Sequence, residues 1–351
     1  MLVLGIETSC DETAAALVAD GRVVRSNIIG SQHEHHRPYG GVVPEIAARA
    51  HLELLLPVLD RALDEGGARY DDLDAVAVTH GPGLVGALLV GVAAAKSLAL
   101  AQSVPLIGVN HLEGHVYAAQ LEYGALEPPV VSLVVSGGHT SIVLLDEDGT
   151  FQALGQTIDD AAGEAFDKVA RYLGLAYPGG PEIDRLSDDG DPAAIAFPRA
   201  LRGRAYDFSL SGLKTAVVRE VQRREATGEP VHVPDVAASF QEAIVDVAVD
   251  KTVRAARERG VEQVAIVGGV AANRRLRARM AEACREQGLR LLAPSPQLCT
   301  DNGAMIAAAG ANRLAAGERG ALDLGVDPNL AFAEAATSPA PSPPEPPGVP
   351  A

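Results

Sequence analysis

This sequence is short of cysteine, of positive charge and of long apolar runs. Its three cysteines, Cys10, Cys284 and Cys299, are too few and too scattered for a disulfide framework or a zinc knuckle, so a reducing, cytoplasmic setting is expected. Forty-six acidic residues face only 29 basic ones, a formal charge of −17, which excludes a surface that grips nucleic acid by phosphate neutralisation alone. A polyanionic partner would need a local basic patch, and residues 202–214 (RGRAYDFSLSGLK) and 273–279 (NRRLRAR) offer two. An arginine run on a helix is otherwise a solvated face. The apolar run LVGALLVGVAAA at 84–95 is Gly-interrupted, is followed by Lys96 and falls short of the roughly 20 residues that span a bilayer, so a buried helix is expected there. The opening MLVLGIETSCDET has no basic segment ahead of its apolar residues, and no signal peptide is expected.

What is present is enough for a sizeable core: 351 residues, 47% of them hydrophobic, with about two domains expected from length. Strand-like runs (LVLGI, DAVAVT, PLIGV, VSLVVS, QVAIVGG) alternate with Ala/Leu/Arg-rich helical stretches, which indicates an α/β chain. Residues 5–21 and 133–149 repeat one pattern: a strand, a polar Ser/Thr/Gly turn, a second strand and an Asp-Gly turn. Two such β-hairpins predict two similar lobes with both polar turns facing the cleft between them. The end of the chain, SPAPSPPEPPGVPA, is Pro-rich and nearly free of large apolar side chains, so a disordered tail is expected from about residue 333 to 351.

Ser136-Gly137-Gly138-His139-Thr140 closes a strand with two glycines that let backbone N–H groups approach a phosphate, and Thr8, Ser9 and Cys10 stand at the matching point of the first hairpin. In 263–280 a strand, Gly268-Gly269 and a helix starting near Ala272 would let a nucleotide lie against the backbone, with Asn273 donating to it. Neither a GxGxxG fingerprint nor a P-loop is present, and the glycines of 79–91 are read as close helix packing. His111 and His115 fall one turn apart if 110–120 is a helix, the separation that lets two imidazoles hold one ion, and Asp301 before a helix at 303–311 could supply an acidic third ligand. A zinc protease needs its Glu directly after the first His, whereas Glu113 is displaced by about 100° around the helix. The cluster HEHHRPYGGVVPE at 33–45 is read as a mobile loop touching substrate or a partner, Cys10 as a packing residue. Asp160, Glu164 and Asp167 share one helix side; Gly163 beside them would let a ligand approach the backbone. Asp11 and Glu12 extend from the first turn into the cleft, where either could act as a general base.

The segments GIETSCDETAAA, HRPYGGVVPEIAARAH, GPGLVGALLVG, NHLEGH, LVVSGGHT, AGEAFDKVAR, YPGGPEID, DFSLSGLKTA, VGGVAANRRLR and CTDNGAMIA, in that order, resemble the bacterial TsaD family, also called Gcp or Kae proteins. The resemblance runs from Leu2 to about Phe332. It implies a two-lobed fold of the actin, sugar-kinase and chaperone-ATPase (ASKHA) type, with residues 1–108 and part of 300–332 as the N-terminal lobe and 109–299 as the C-terminal lobe carrying the metal and nucleotide sites. The implied activity is transfer of a threonylcarbamoyl group from threonylcarbamoyl-AMP to the exocyclic amine of the adenosine 3′ of the anticodon in tRNAs reading ANN codons. One divalent metal per subunit is implied, Fe(2+) ahead of Zn(2+), with an adenine nucleotide (threonylcarbamoyl-AMP or ATP) in the cleft. Carried over by position, the metal ligands are His111, His115 and Asp301, and the substrate- and nucleotide-binding positions are Val134, Val135, Ser136, Gly137, Gly138, Asp167, Gly180, Asp184 and Asn273. Archaeal and eukaryotic relatives carry a Tyr ligand where this chain has Val134, so fewer protein ligands are expected here.

An acyl-adenylate is already activated, so positioning and charge stabilisation matter more than a covalent nucleophile, and Asp11 is the candidate base. The acidic charge suggests that tRNA docking is shared. The resemblance supplies a TsaB-like paralogue, a TsaE-like ATPase and a TsaC-like enzyme that makes the adenylate; no membrane is implied. Residues 33–41 and 202–214 are the segments expected to meet tRNA. Two alternatives are a metal-dependent glycoprotein endopeptidase and a stand-alone ATPase or small-molecule kinase of the same fold.

Overall fold

Alternating apolar runs and helical stretches fold into two sheets of one plan. The computed structural model describes residues 1–203 and 206–334. Its first sheet has the order β3-β2-β1-β4-β5, from β1 (Leu2–Glu7), β2 (Glu12–Ala19), β3 (Val23–Ser31), β4 (Ala75–Gly81) and β5 (Leu106–Asn110). The second has the order β10-β9-β6-β7-β8-β11, from β6 (Val130–Val135), β7 (Thr140–Leu145), β8 (Phe151–Gln156), β9 (Gln263–Val267), β10 (Arg290–Leu292) and the short β11 (Ala333–Glu334). In each sheet three strands form an antiparallel meander; one later strand joins its first strand in parallel and a second joins that one in parallel. β1 to β5 therefore correspond in order and direction to β6 to β10, and the hairpin repeat seen in the sequence is the start of a larger duplication. The Asp-Gly turn after β2 has both central residues in the left-handed region, Asp20 at φ 51° and Gly21 at φ 68°, as a type I′ turn requires.

Helices α1 (His33–His36), α2 (Pro44–Gly66) and α3 (Val85–Gln102) belong to the first half; α4 (His111–Ala118) and α5 (Gln120–Tyr123) lead out of β5. The second half carries α6 (Ala162–Tyr172), α7 (Gly179–Leu186), α8 (Ser211–Thr227), α9 (Val233–Glu258), α10 (Arg274–Gln287), α11 (Pro296–Cys299) and α12 (Gly303–Ala315). Both faces of each sheet are covered, so strands such as LVLGIE and VVSLVV read as nearly continuous apolar runs. On the first sheet Leu4, Ile6 and Val76 pack with Leu55 and Leu59 of α2 and Val92 of α3, while Val3, Ala77 and Val109 face Met305 and Ile306 of α12. On the second sheet Leu133, Val135 and Ile266 pack with α9 and α10, while Val134, Val143 and Val267 face Leu112 and Val116 of α4. α4 also packs on α12. These two helices form the seam between the sheets, and they bring His111, His115 and Asp301 to it.

Three expectations change. α3 is apolar all round but only a third buried: Ala87, Leu88, Val92, Ala95 and Ala99 face the sheet and α2, while Val85, Leu89 and Leu100 are exposed. It is long and apolar enough to cross a membrane by length and composition, yet it stands in the helix layer of the first sheet rather than buried as expected. The segment read as a mobile loop is instead helical, α1 followed by a 3-10 turn over Arg37–Tyr39, because His36 is buried and bonded: its Nε2 lies 3.2 Å from Gln32 Oε1, and Val43 N–H donates to its Nδ1. The first two residues of the expected tail, Ala333 and Glu334, pair in parallel with β8; residues 335–351 lie outside the described residues.

Candidate functional site

Asn110 ends β5 and caps α4, its side chain accepting Leu112 N–H at 2.9 Å, which starts the helix with His111. His111 and His115 then stack edge to face on one side, ring centroids 4.7 Å apart. Asn302 caps α12 in the same way, accepting Met305 N–H at 3.0 Å, and holds Asp301 just ahead of the helix. Asp301 Oδ1 stands 3.6 Å from His111 Nε2 and 3.2 Å from His115 Nε2. The three residues thus offer two nitrogens and one oxygen, all within 4.8 Å of one another.

Their environment suits a cation. Among the described residues both ring nitrogens of His115 are buried without a well-aligned hydrogen-bond partner, and its Nε2 lies 3.2 Å from Asp301 Oδ1. An ion ~2.1 Å from each donor fits between atoms 3.2 and 3.6 Å apart. Two histidines and one carboxylate with open positions is a set that Fe(2+) or Zn(2+) accepts. Burial disfavours charge on His111, but the carboxylates of Glu7 and Asp301 on its two sides outweigh it and raise its pKa to about 9. Asp301 is held far below the usual carboxylate range: burial opposes its charge, and the imidazoles of His111 and His115 more than offset that.

The two-glycine turn stands at the open side. Ser136 is anchored on both flanks: its N–H donates to His139 O at 2.8 Å and its carbonyl accepts Gly163 N–H at 3.1 Å. Thr140 Oγ1 accepts Ala162 N–H at 2.8 Å, so the start of α6 is fastened to the end of the turn. Gly137 and Gly138 face open space. His139, the next residue, sits 6.4 Å from His111 ring to ring. Burial and the neighbouring imidazoles push its pKa down to about 4, so it stays neutral. The side chains of Val134 and Val135 are fully buried in the two core layers, and Val134 is paired on both edges, so neither side chain reaches the open side of the turn. Gly163 differs from the expectation: a Cβ there would come within 2.7 Å of Ser136 O and Gly137 Cα, so it admits the turn, not a ligand. Gly268, at φ 91°, is likewise spent on the Val135 carbonyl, while Gly269 is open.

The first hairpin turn faces the same region. Asp11 and Glu12 lie 4.0 and 3.9 Å from the two ring nitrogens of His33. Burial first, then the charge of Asp11, raises Glu12 well above its ordinary pKa. Burial also raises the Cys10 thiol, in keeping with a packing residue. The turn is braced by His51, whose Nε2 is 3.0 Å from Cys10 O, and His33 meets Tyr177 edge-on at 6.1 Å, joining α1 to the loop before α7. Asp167 Oδ1 accepts Gly179 N–H at 2.7 Å, and Gly180 is open to solvent space. Glu164 on the same helix pairs with Lys168, and so does Asp160, which lies ahead of α6 and not on its side as expected because the helix starts only at Ala162.

The remaining candidates, Asn273 and Asp184, are each held by neighbouring side chains. Asn273 caps α10, accepting Leu276 N–H, and donates to Gln241 Oε1 at 2.6 Å. Asp184 pairs with Arg274 at 2.7 Å beside a cavity of about 280 Å³ that Gln241 and Glu242 also line. The arginines of 273–279 are engaged: Arg274 with Asp184 and Asp188, Arg275 with Glu242, Arg277 with the carbonyls of Ala293 and Pro294, and Arg279 with Glu282. Of 202–214, residues 204 and 205 lie outside the described residues.

Two functional neighbours escaped the sequence reading. Glu7 lies against His111 Nδ1 at 3.0 Å, and Arg313 clamps Glu113 with bonds of 2.7 to 3.0 Å. The first had one signal, a glutamate at the end of an otherwise apolar strand; the second had none, since its partner is 200 residues away.

The model of the family described as TsaD, tRNA N6-adenosine threonylcarbamoyltransferase, matches residues 23–308. A protein of that name from Symbiobacterium thermophilum is 57% identical over 329 residues, 94% of this chain and 96% of the relative. Others from Clostridium botulinum (52% over 333 residues, 95% and 98%) and Geobacillus kaustophilus (55% over 330 residues, 93% and 96%) carry the same name. Among solved structures, HypF from T. kodakarensis aligns at TM-score 0.62 with 16% identity, over 90% of this chain and 48% of that one. The component A of (R)-2-hydroxyglutaryl-CoA dehydratase from Acidaminococcus fermentans aligns at 0.53 with 15% identity, over 90% and 99%. These two show the fold, the two-lobed ASKHA type, and the sequence relatives settle the lineage: the chain belongs to the TsaD family of tRNA N6-adenosine threonylcarbamoyltransferases.

Proposed function

We propose that this chain moves the threonylcarbamoyl group of threonylcarbamoyl-AMP onto the exocyclic amine of the adenosine 3′ of the anticodon in tRNAs reading ANN codons. The observation that carries this reading, beside family membership, is the convergence of His111, His115 and Asp301 on one point at the open side of the Ser136–Gly138 turn. His111, His115 and Asp301 would hold the divalent ion, Fe(2+) ahead of Zn(2+). When bound, it supplies Lewis-acid charge stabilisation to phosphate or carbamoyl oxygen.

The chain's own groups do the rest. Open backbone at Gly137 and Gly138 approaches the phosphate of the leaving AMP. Asp167, Gly180, Asp184 and Asn273 line the path for the nucleotide, with Asp184 and Asn273 acting through the bonds that position them. Asp11 takes the proton as the weakly nucleophilic adenine amine attacks, and its place is fixed by the His51 bond to Cys10. We read residues 1–108 with part of 300–332 as one lobe and 109–299 as the other.

Exposed Leu52 and Leu56 of α2 and Val85 and Leu89 of α3 form an apolar face on two helices that pack together. A TsaB-like paralogue is our occupant for it, with a TsaE-like ATPase and a TsaC-like adenylate-forming enzyme completing a cytoplasmic pathway. The peptidase alternative loses its base, because Glu113 is held by Arg313. The test is to incubate the chain with threonylcarbamoyl-AMP, an ANN-reading tRNA and the partners, then digest the tRNA and weigh its nucleosides. Threonylcarbamoyladenosine is expected; its absence, with ATP turnover or glycoprotein cleavage instead, would favour an alternative.

A further inference from the structure

We infer that Glu7 is a positioning residue: it fixes His111 as the Nδ1–H tautomer, aims Nε2 at the cation site, and ties the Ser9–Asp11 turn to that ligand. The inference rests on the reading of His111, His115 and Asp301 as a metal site.

Glu7 is the last residue of β1 and is fully buried. A buried carboxylate is tolerated only when its oxygens are satisfied. Oε1 accepts Ser9 N–H at 2.5 Å, and Oε2 accepts the Thr79 hydroxyl at 2.5 Å and faces His111 Nδ1 at 3.0 Å. An ionised carboxylate only accepts, so Nδ1 must donate, with the Ser9 hydroxyl 3.2 Å from the same nitrogen as a second acceptor, and the proton that His111 gives up to a cation is the one on Nε2. That is the atom facing Asp301. His115 shows the contrast, because among the described residues nothing bonds its Nδ1, and its Nε2 faces only Asp301 Oδ1 at 3.2 Å. A carboxylate behind a ligating imidazole both orients the ring and raises its basicity. One side chain therefore joins three elements: the hairpin turn through Ser9, β4 through Thr79 and α4 through His111. Asp11, two residues beyond Ser9, moves with that bond.

The test uses the full-length, metal-stripped chain. Two-bond 1H–15N correlation spectra at pH ~10 or above, where His111 has lost its second proton, assigned with His111→Ala, report the tautomer without any metal, and a titration with Co(2+) alone, read by its visible absorption, reports affinity. His111 is expected as Nδ1–H in the wild type and as a mixture in Glu7→Gln, with Co(2+) binding weakened about 10- to 100-fold and the far-UV spectrum kept. Thr79→Val should weaken binding less. Wild-type Co(2+) binding that is absent, or unchanged in His111→Ala, would sink the metal-site reading and this inference with it. Binding through His111 that is equally tight in Glu7→Gln overturns the inference alone. Should Glu7→Gln not fold, the wild-type spectrum decides together with Thr79→Val: Nε2–H on His111 overturns it, and Nδ1–H with weakened Co(2+) binding in Thr79→Val supports it.

Discussion

At the scale of single residues the site is a set of imidazoles whose roles are chosen by their hydrogen-bond partners. His51 is fully buried, with Nε2 on Cys10 O and the Thr13 hydroxyl 2.7 Å from Nδ1. Burial lowers its pKa, and the Cys10 carbonyl opposes that only in part. Above its ordinary value of ~6.5 the residue is neutral both folded and unfolded; as pH falls below ~6.5 the unfolded chain takes up the proton first. Stability should therefore drop with falling pH, by up to about 1.4 kcal/mol per pH unit for this one group, until the folded pKa is passed. Urea unfolding at stepped pH checks this, and a slope unchanged in His51→Gln would contradict it. Glu113 makes a second case. Removing one partner of a buried ion pair leaves the other uncompensated, and since Arg313 is 27% exposed the cost for Glu113→Gln should lie at or below about 3 kcal/mol. Modification activity at low temperature should survive; a folded, stable but inactive variant would restore Glu113 to the chemistry. The histidine pair was legible because its spacing is local to one helix. Glu7 was not, because the contact joins positions 104 residues apart and only folding reveals it.

Elements carry the next level. α6 starts where the Ser136–Gly138 turn ends, and Gly163 lets the two backbones touch. Gly163→Val should displace the turn and weaken AMP binding at least about ten-fold, roughly 1.4 kcal/mol. Glu164→Gln on the same helix and Asp160→Asn just ahead of it, both paired only with Lys168, should leave it unchanged in a calorimetric titration. Equal affinity in Gly163→Val would mean that the turn does not hold the phosphate. The hairpins, α4 and α12 could be read from period, cap and turn residues. α3 could be read as a helix but not for its burial, because a mostly apolar helix does not say which neighbour covers it; α1 could not be read, its three histidines dividing between solvent and a buried network.

For the whole molecule, the duplicated sheets place two polar turns and a helix seam at one cleft, and the sequence repeat already indicated the first hairpin of each copy. The remaining strands of each copy were not visible as a repeat, since β4 and β9 share only apolar character. We propose that the exposed apolar residues of α2 and α3 receive the TsaB-like paralogue. Leu56→Asp with Leu89→Asp should abolish co-elution with the TsaB-like paralogue while the melting temperature stays within a few degrees; co-elution retained would move the partner elsewhere. Most direct of all is metal removal in the reconstituted reaction. With tRNA, threonylcarbamoyl-AMP and partners present, modification should vanish in metal-stripped protein and in His111→Ala, and return on adding Fe(2+) or Zn(2+) to the stripped wild type only. Full modification by the metal-free chain would contradict the account.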